Sequence, residues 1–166
     1  MLPNFKAKTI FDFDSSADIK SWSTLNDDVM GGVSSSTFKI NKDGHGLFEG
    51  NVSTANNGGF ASVRYRCNVT TKSSKFIKIR LKGDGKDYQF RIKEKISDFE
   101  SYITTFSTSG NWETISIKLN DLYPSFRGRK LDKSKFEATS IEQISILIAN
   151  KQDESFKLIL DKIEIE

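Results

Sequence analysis

The chain carries one cysteine, Cys67, and one histidine, His45, among its 166 residues. A lone cysteine cannot close an intramolecular disulfide, which excludes a small secreted domain stapled by disulfides. One His and one Cys cannot supply the ligands of the usual structural zinc sites. A Ser-His-Asp triad would have to use His45, which lies in Asp43-Gly44-His45-Gly46 and reads as a surface turn residue between strands. Cys67 closes an apolar strand pattern at Arg66-Cys67-Asn68-Val69 and reads as a small buried hydrophobe rather than a reactive thiol. Apolar runs are short, and none approaches the ~20 residues of a membrane span. Met1 to Lys8 has no apolar stretch of signal-peptide length, and acidic and aromatic residues follow almost at once, unlike an arginine-rich transit peptide. The expectation is a soluble, intracellular, cytoplasmic protein.

Aromatic residues are plentiful. Thirteen Phe, four Tyr and two Trp supply large apolar area and favour strands. A chain of this length suits one domain, residues 1–166, and disorder is not expected despite 28% charged residues. Net charge is only +3. It is unevenly spread: residues 71–130 hold 13 Lys or Arg against 7 Asp or Glu. A mildly basic middle reads as a solvated face ahead of a binding patch, and no arginine-rich arm or nucleic-acid motif is present.

Alternation with period two dominates. Ile77, Ile79 and Leu81 point one way, and Lys78, Arg80 and Lys82 the other. Gly83-Asp84-Gly85-Lys86 then breaks the strand. Tyr88, Phe90 and Ile92 alternate with Gln89, Arg91 and Lys93, so the two runs read as a two-strand meander with a basic outer face. Further strands are expected at Thr9–Phe13, Thr37–Ile40, Leu47–Val52, Phe60–Cys67, Ser101–Phe106, Trp112–Lys118, Ile141–Ile148 and Phe156–Ile165. The last is apolar on both faces around Leu158, Ile159 and Leu160, as in a strand that is central or carries a bulge. Ser15–Lys20 and Asn120–Tyr123 suit single helical turns. About ten strands with short turns predict an all-β, two-sheet antiparallel sandwich of jelly-roll type.

Three segments break the alternation. In Trp22–Ser34, Asn26, Asp27 and Asp28 can bond backbone amides locally, and Gly31-Gly32 permits positive φ or close approach beside Met30. The segment, ending at Ser34, is either a tight corner plugged by Met30 or a ligand or partner contact. In Asn56–Arg64, Asn57-Gly58 is a hairpin signal, Gly59 allows close approach, and Phe60 opens a strand. There Ser62 and Arg64 share one face and Ala61, Val63 and Tyr65 the other. Arg64 suits a carboxylate, from an Asp of the first segment or from a ligand. In Leu122–Arg129, Phe126, Arg127 and Arg129 mix aromatic and basic character beside Pro124. That mixture suits a protein interface, sugar stacking or completion of the core. Acid–base catalysis would rest on Asp27 and Asp28, which only a loop could make cooperate. No catalytic residue, cofactor or metal site is assigned.

The two glycine blocks, followed by Gly83-Asp84-Gly85-Lys86 with Tyr88, Tyr102 to Phe106, Trp112 and Phe126-Arg127-Gly128-Arg129, resemble the complex I intermediate-associated protein 30 family. The order and spacing hold from about Phe11 to the last strand. The resemblance implies a galactose-binding-domain-like β-sandwich and a chaperone-like, non-catalytic role. Eukaryotic members assist assembly of respiratory complex I, the NADH dehydrogenase, with membrane-arm intermediates. Expected partners are respiratory subunits or assembly intermediates, with peripheral association at the inner membrane through them, and no nucleic acid. The short chain suggests a compact, bacterial-type member without a transit peptide. Asp153-Glu154-Ser155-Phe156 departs from the glycine and the small residue or proline expected before the aromatic that opens the last strand. The alternative function is a carbohydrate-binding module, with Trp22, Phe60 or Phe126 as the stacking ring.

Overall fold

The computed structural model describes residues 7–26, 33–55 and 59–166. Thirteen strands are present among them: β1 Lys8–Asp12, β2 Trp22–Asn26, β3 Ser35–Ile40, β4 Gly46–Val52, β5 Ala61–Thr70, β6 Phe76–Lys82, β7 Asp87–Lys93, β8 Ser101–Ser107, β9 Trp112–Lys118, β10 Tyr123–Phe126, β11 Arg129–Lys130, β12 Ser140–Ile148 and β13 Glu154–Ile165. They form two antiparallel sheets. The first runs β3-β4-β13-β6-β9, with β1 beside the second half of β13, and the second runs β11-β10-β8-β7-β12-β5-β2. This is the expected jelly-roll sandwich.

The core lies between the sheets. Ile77, Ile79 and Leu81 of β6 face it from the first sheet, and Phe90 and Ile92 of β7 with Ile144, Ile146 and Ile148 of β12 from the second. The meander of β6 and β7 is not observed. β6 pairs with β13 and β9, whereas β7 pairs with β8 and β12. Gly83–Lys86 is therefore a crossover between sheets, and the two basic faces point to opposite sides of the molecule. Alternation states which residues face inward but is silent on which sheet a strand joins.

β13 is both central and bulged. Its pairing with β6 skips Asp161, between Leu160↔Leu81 and Lys162↔Arg80. The bulge shifts the inward phase by one, from Phe156, Leu158 and Leu160 to Ile163 and Ile165. The run Leu158-Ile159-Leu160 lies before the bulge: Leu158 and Leu160 face the core, and Ile159 is half-buried on the other face of this central strand, flanked by β4 and β6.

Three expectations change. Trp22 is not a loop residue but opens β2, opposite Tyr65, and is 7% exposed within a cluster of Phe11, Phe13, Phe38 and Tyr65. Its burial removes it as a stacking platform. Ser15–Lys20 holds no helix; Asp14 accepts the Ser16 amide and hydroxyl, a local turn that competes with helix formation. The second helical turn is a 3-10 turn one residue earlier than expected, Leu119–Asp121.

Candidate functional site

The outward face of the second sheet is polar and basic. Cross-strand register places Ser23, Arg64, Ser145 and Arg91 in one row, and Arg66, Gln143 and Lys93 in the next. Short serines between long cations leave a hollow. A groove of about 160 Å³ follows, floored by Ser62, Ser145 and Ser125 and walled by Arg64, Arg91, Lys93 and Arg127, with Phe99 and Phe126 at one end. Ser62, Ser145 and Ser125 are buried. No carboxylate, histidine or cysteine lines the groove among the described residues.

On the opposite face part of the basic charge is neutralised. On the first sheet Arg80 pairs with Asp161 at 3.1 Å, Lys162 with Glu164 at 3.4 Å, and Lys78 with Glu166. In the groove, none of Arg64, Arg91, Lys93 and Arg127 forms an ion pair with a described carboxylate. Arg91 donates Nε and Nη2 to Gln89 Oε1 at 3.0 and 2.6 Å, and Lys93 Nζ donates to the Asp98 carbonyl at 2.7 Å. Burial lowers the pKa of all three strand cations. The charge of Arg64 adds to this at Arg91 and Lys93, with Asp98 and Glu100 opposing it at Lys93. The groove thus holds mutually repelling, partly desolvated cations that an anion would relieve.

Arg127 is placed by a strained turn. It and Gly128 connect β10 to β11 with φ of +50° and +78°. Two-residue hairpin turns of positive φ favour Asn-Gly, and a long side chain at the first position is unfavourable. The guanidinium lies 5.1 Å from the Phe126 ring centroid. Phe99 and Phe126 meet edge to face at 5.2 Å and are 56% and 37% exposed.

Of the residues singled out from sequence, the groove collects Arg64, Phe126 and Arg127. Asn26 ends β2 and its Oδ1 accepts the Ser36 hydroxyl. Ser34 is buried, its Oγ accepting the Ser53 amide at 2.9 Å and donating to the Ser53 carbonyl at 3.3 Å, a brace rather than a groove contact. Gly59 has a φ of +145° and Phe60 is half-buried; neither lines the groove. Arg129 is exposed on β11, outside it. Asp27, Asp28, Met30, Gly31, Gly32 and Asn57 lie outside the described residues. Arg91, Lys93 and Phe99 were not anticipated. The basic alternation of β7 was visible, but β6 shows the same alternation, and the sequence does not say which of the two has acidic partners.

A family model described as complex I intermediate-associated protein 30 (CIA30) matches residues 11–160. The chain belongs to this family. Two of the motifs that carry the likeness now have a structural meaning in this CIA30 member. Asp84 of the Gly83–Lys86 crossover accepts from the Tyr88 hydroxyl at 2.9 Å, the Lys157 amide at 2.9 Å and the Lys86 amide at 3.3 Å. Phe126-Arg127-Gly128-Arg129 is the β10–β11 hairpin. No curated protein matches the chain. Among solved structures, a family 11 carbohydrate-binding module from Clostridium thermocellum, in complex with a β-1,3-1,4-mixed-linked tetrasaccharide, is similar. It shares 20% identity at a TM-score of 0.73, over 96% of this chain and 94% of that one. A family 29 carbohydrate-binding module shares 10% identity at a TM-score of 0.58, over 96% and 85%. At such identities the likeness speaks for the fold alone. No helix among the described residues is long and apolar enough to cross a membrane.

Proposed function

We propose that this chain is a non-catalytic, chaperone-like protein-interaction module that assists assembly of respiratory complex I, the NADH dehydrogenase, and that the groove of the second sheet is its docking face. Family membership supports the assembly role. The observation that carries the docking face is the groove lining itself: Arg64, Arg91, Lys93 and Arg127 meet there with no described carboxylate among them, whereas Lys78, Arg80 and Lys162 of the first sheet are paired. Phe126 and Arg127 put the third sequence segment on that face, and aromatic and Arg side chains are favoured at interfaces. No described carboxylate, histidine or cysteine stands beside the groove serines to activate them. Affinity purification of the tagged chain from native membranes in mild detergent is expected to return NADH dehydrogenase subunits, and loss of the gene is expected to lower the assembled enzyme. Purification without those subunits, together with an intact enzyme in the deletion strain, overturns the reading.

A second reading, a carbohydrate-binding module, draws on the exposed Phe99 and Phe126 beside a polar sheet face and on the fold of its neighbours. A glycan array with no hit removes it.

A further inference from the structure

The groove does not end at Arg64. A second trough of about 380 Å³, whose lining includes Lys20, Ser23, Arg66 and Ile96, adjoins it and shares Arg64 and Gln143. Together they cross the sheet from β2 to β10, six strands in the order of the sheet. We propose that this continuous track captures an extended acidic peptide segment of the partner, with carboxylates on Arg64, Arg91 and Arg127 and an apolar side chain packed against the Phe99–Phe126 pair; the proposal rests on the protein-interaction reading.

Three observations select this occupant. The first is charge: no described acid lines either hollow, so carboxylates meet only cations and neutral hydrogen-bonding groups. The second is length. Five inter-strand gaps of ~4.8 Å span ~24 Å, which about seven extended residues cover. The third is the state of the rings. Arg127 lies over Phe126 at 5.1 Å, Lys133 over Phe99 at 5.1 Å and Lys130 over Tyr123 at 5.3 Å. Each ring near the groove already has a cation on one face, and Phe99 and Phe126 stand at 88° to one another. At that angle the two rings offer a sugar no flat two-ring platform, whereas an aliphatic side chain can pack in the corner they form. The strain at Arg127 points the same way: the fold would be served better by Asn or Gly there, and the guanidinium is what that turn supplies to the groove.

The test measures fluorescence anisotropy of a labelled glutamate-rich peptide of about eight residues with one central leucine, matched to the track length. Its glutamine counterpart, a polygalacturonate oligosaccharide and a poly(U) RNA compete against it. The acidic peptide is expected to bind, to weaken as salt is raised, and to exceed the glutamine peptide by about tenfold or more. Arg64→Gln and Arg91→Gln should each weaken binding about tenfold or more by the same reasoning. Arg127→Gly should weaken binding while leaving Tm unchanged or higher, because glycine relieves the positive φ; misfolding cannot produce that pair of results. Failure of the acidic peptide to bind, equal binding of the glutamine peptide, tighter binding of the polyuronate or RNA, or unchanged affinity in Arg127→Gly each overturns the proposal. The assembly reading fails separately. If wild type co-purifies with NADH dehydrogenase subunits and the Arg64→Gln, Arg91→Gln double variant does so equally, the track is wrong and the assembly role stands. If the acidic peptide binds, no respiratory subunit co-purifies and the enzyme is intact in the deletion strain, the track stands and the assembly role is wrong.

Discussion

Cys67 lies half-buried on β5, its thiol donating to the Ile141 carbonyl at 3.7 Å. Burial, with the nearby charge of Glu142, pushes its pKa up to about 12. The thiolate is the reactive form, and although a higher pKa makes it more nucleophilic, a thiol pushed up to about 12 should alkylate at pH ~8 roughly 30- to 100-fold more slowly than an ordinary one. Iodoacetamide labelling followed by mass spectrometry should show slow modification in the native chain and fast modification in urea; equal rates would contradict this environment. The expectation of a small buried hydrophobe is met in part: Cys67 packs against the core but is only half-buried. His45 is more engaged than a surface turn residue. Its Nε2 sits 3.5 Å from Asp161 Oδ1, its ring 4.7 Å from that of Trp112, and Arg80 reaches both Asp161 and Trp112. The bulge in β13 turns the Asp161 carboxylate toward this group. Asp153, where the family likeness leads one to expect a glycine or small residue, accepts from the Thr54 amide at 2.7 Å and hydroxyl at 2.8 Å. These bonds lower its pKa and tie the exit of β4 to the entry of β13.

Among the elements, the Gly83–Lys86 crossover is the most constrained. A Cβ on Gly83 would lie 2.2 Å from Thr108 Cβ, and Thr108 Oγ1 itself accepts from the Gly85 amide at 3.0 Å and donates to the Lys86 carbonyl at 2.8 Å. Gly83→Ala should therefore cost about 1–3 kcal/mol through overpacking. Asp84→Ala leaves the buried Tyr88 hydroxyl without its acceptor and should cost about 2–3 kcal/mol. Urea unfolding of both variants checks this, and a loss below about 0.5 kcal/mol in both would mean that the crossover is held elsewhere. The motif from Gly83 to Tyr88 thus joins the two sheets, which is an architectural role. Such joins were the least legible part of the sequence. Inward faces were readable because burial imposes period two, and the inward faces of β5, β6, β7 and β12 match their expected residues. β2, β10 and β11 were not read as strands. β2 is Trp-Ser-Thr-Leu-Asn, mostly polar because it is an edge strand, and β11 is two residues long. The site was legible in part for the same reason. Arg64, Phe126 and Arg127 stand out locally, but their meeting with Arg91, Lys93 and Phe99 depends on strand order, which brings β5, β12, β7, β8 and β10 side by side.

At the scale of the whole molecule, protons kept by buried Tyr88 and three half-buried groups are expected to set the alkaline limit of stability. Tyr88, Cys67, Tyr65 and Tyr102 all have raised pKa values, burial being the first cause in each, with the Asp84 carboxylate adding to it at Tyr88. Each keeps its proton in the folded chain at a pH where the unfolded chain has lost it. The folded state then binds more protons than the unfolded state, and stability falls as pH rises above about 9 to 10. Lys93 has the opposite sign. Its lowered pKa means that the unfolded chain holds the proton longer, so its unfavourable charge is relieved as pH rises toward 10.5. One partly exposed lysine does not offset four groups, of which Tyr88 is 1% exposed. Tyr88 alone should contribute a slope of about 1.4 kcal/mol per pH unit above pH ~10. Urea unfolding at pH ~8, ~10 and ~11 should show this decline, and Tyr88→Phe, although less stable at neutral pH, should show a shallower one by about one proton. Equal slopes in the two proteins would mean that Tyr88 ionises without unfolding, and that the hydrogen bond to Asp84 does not close the crossover end of the core to water.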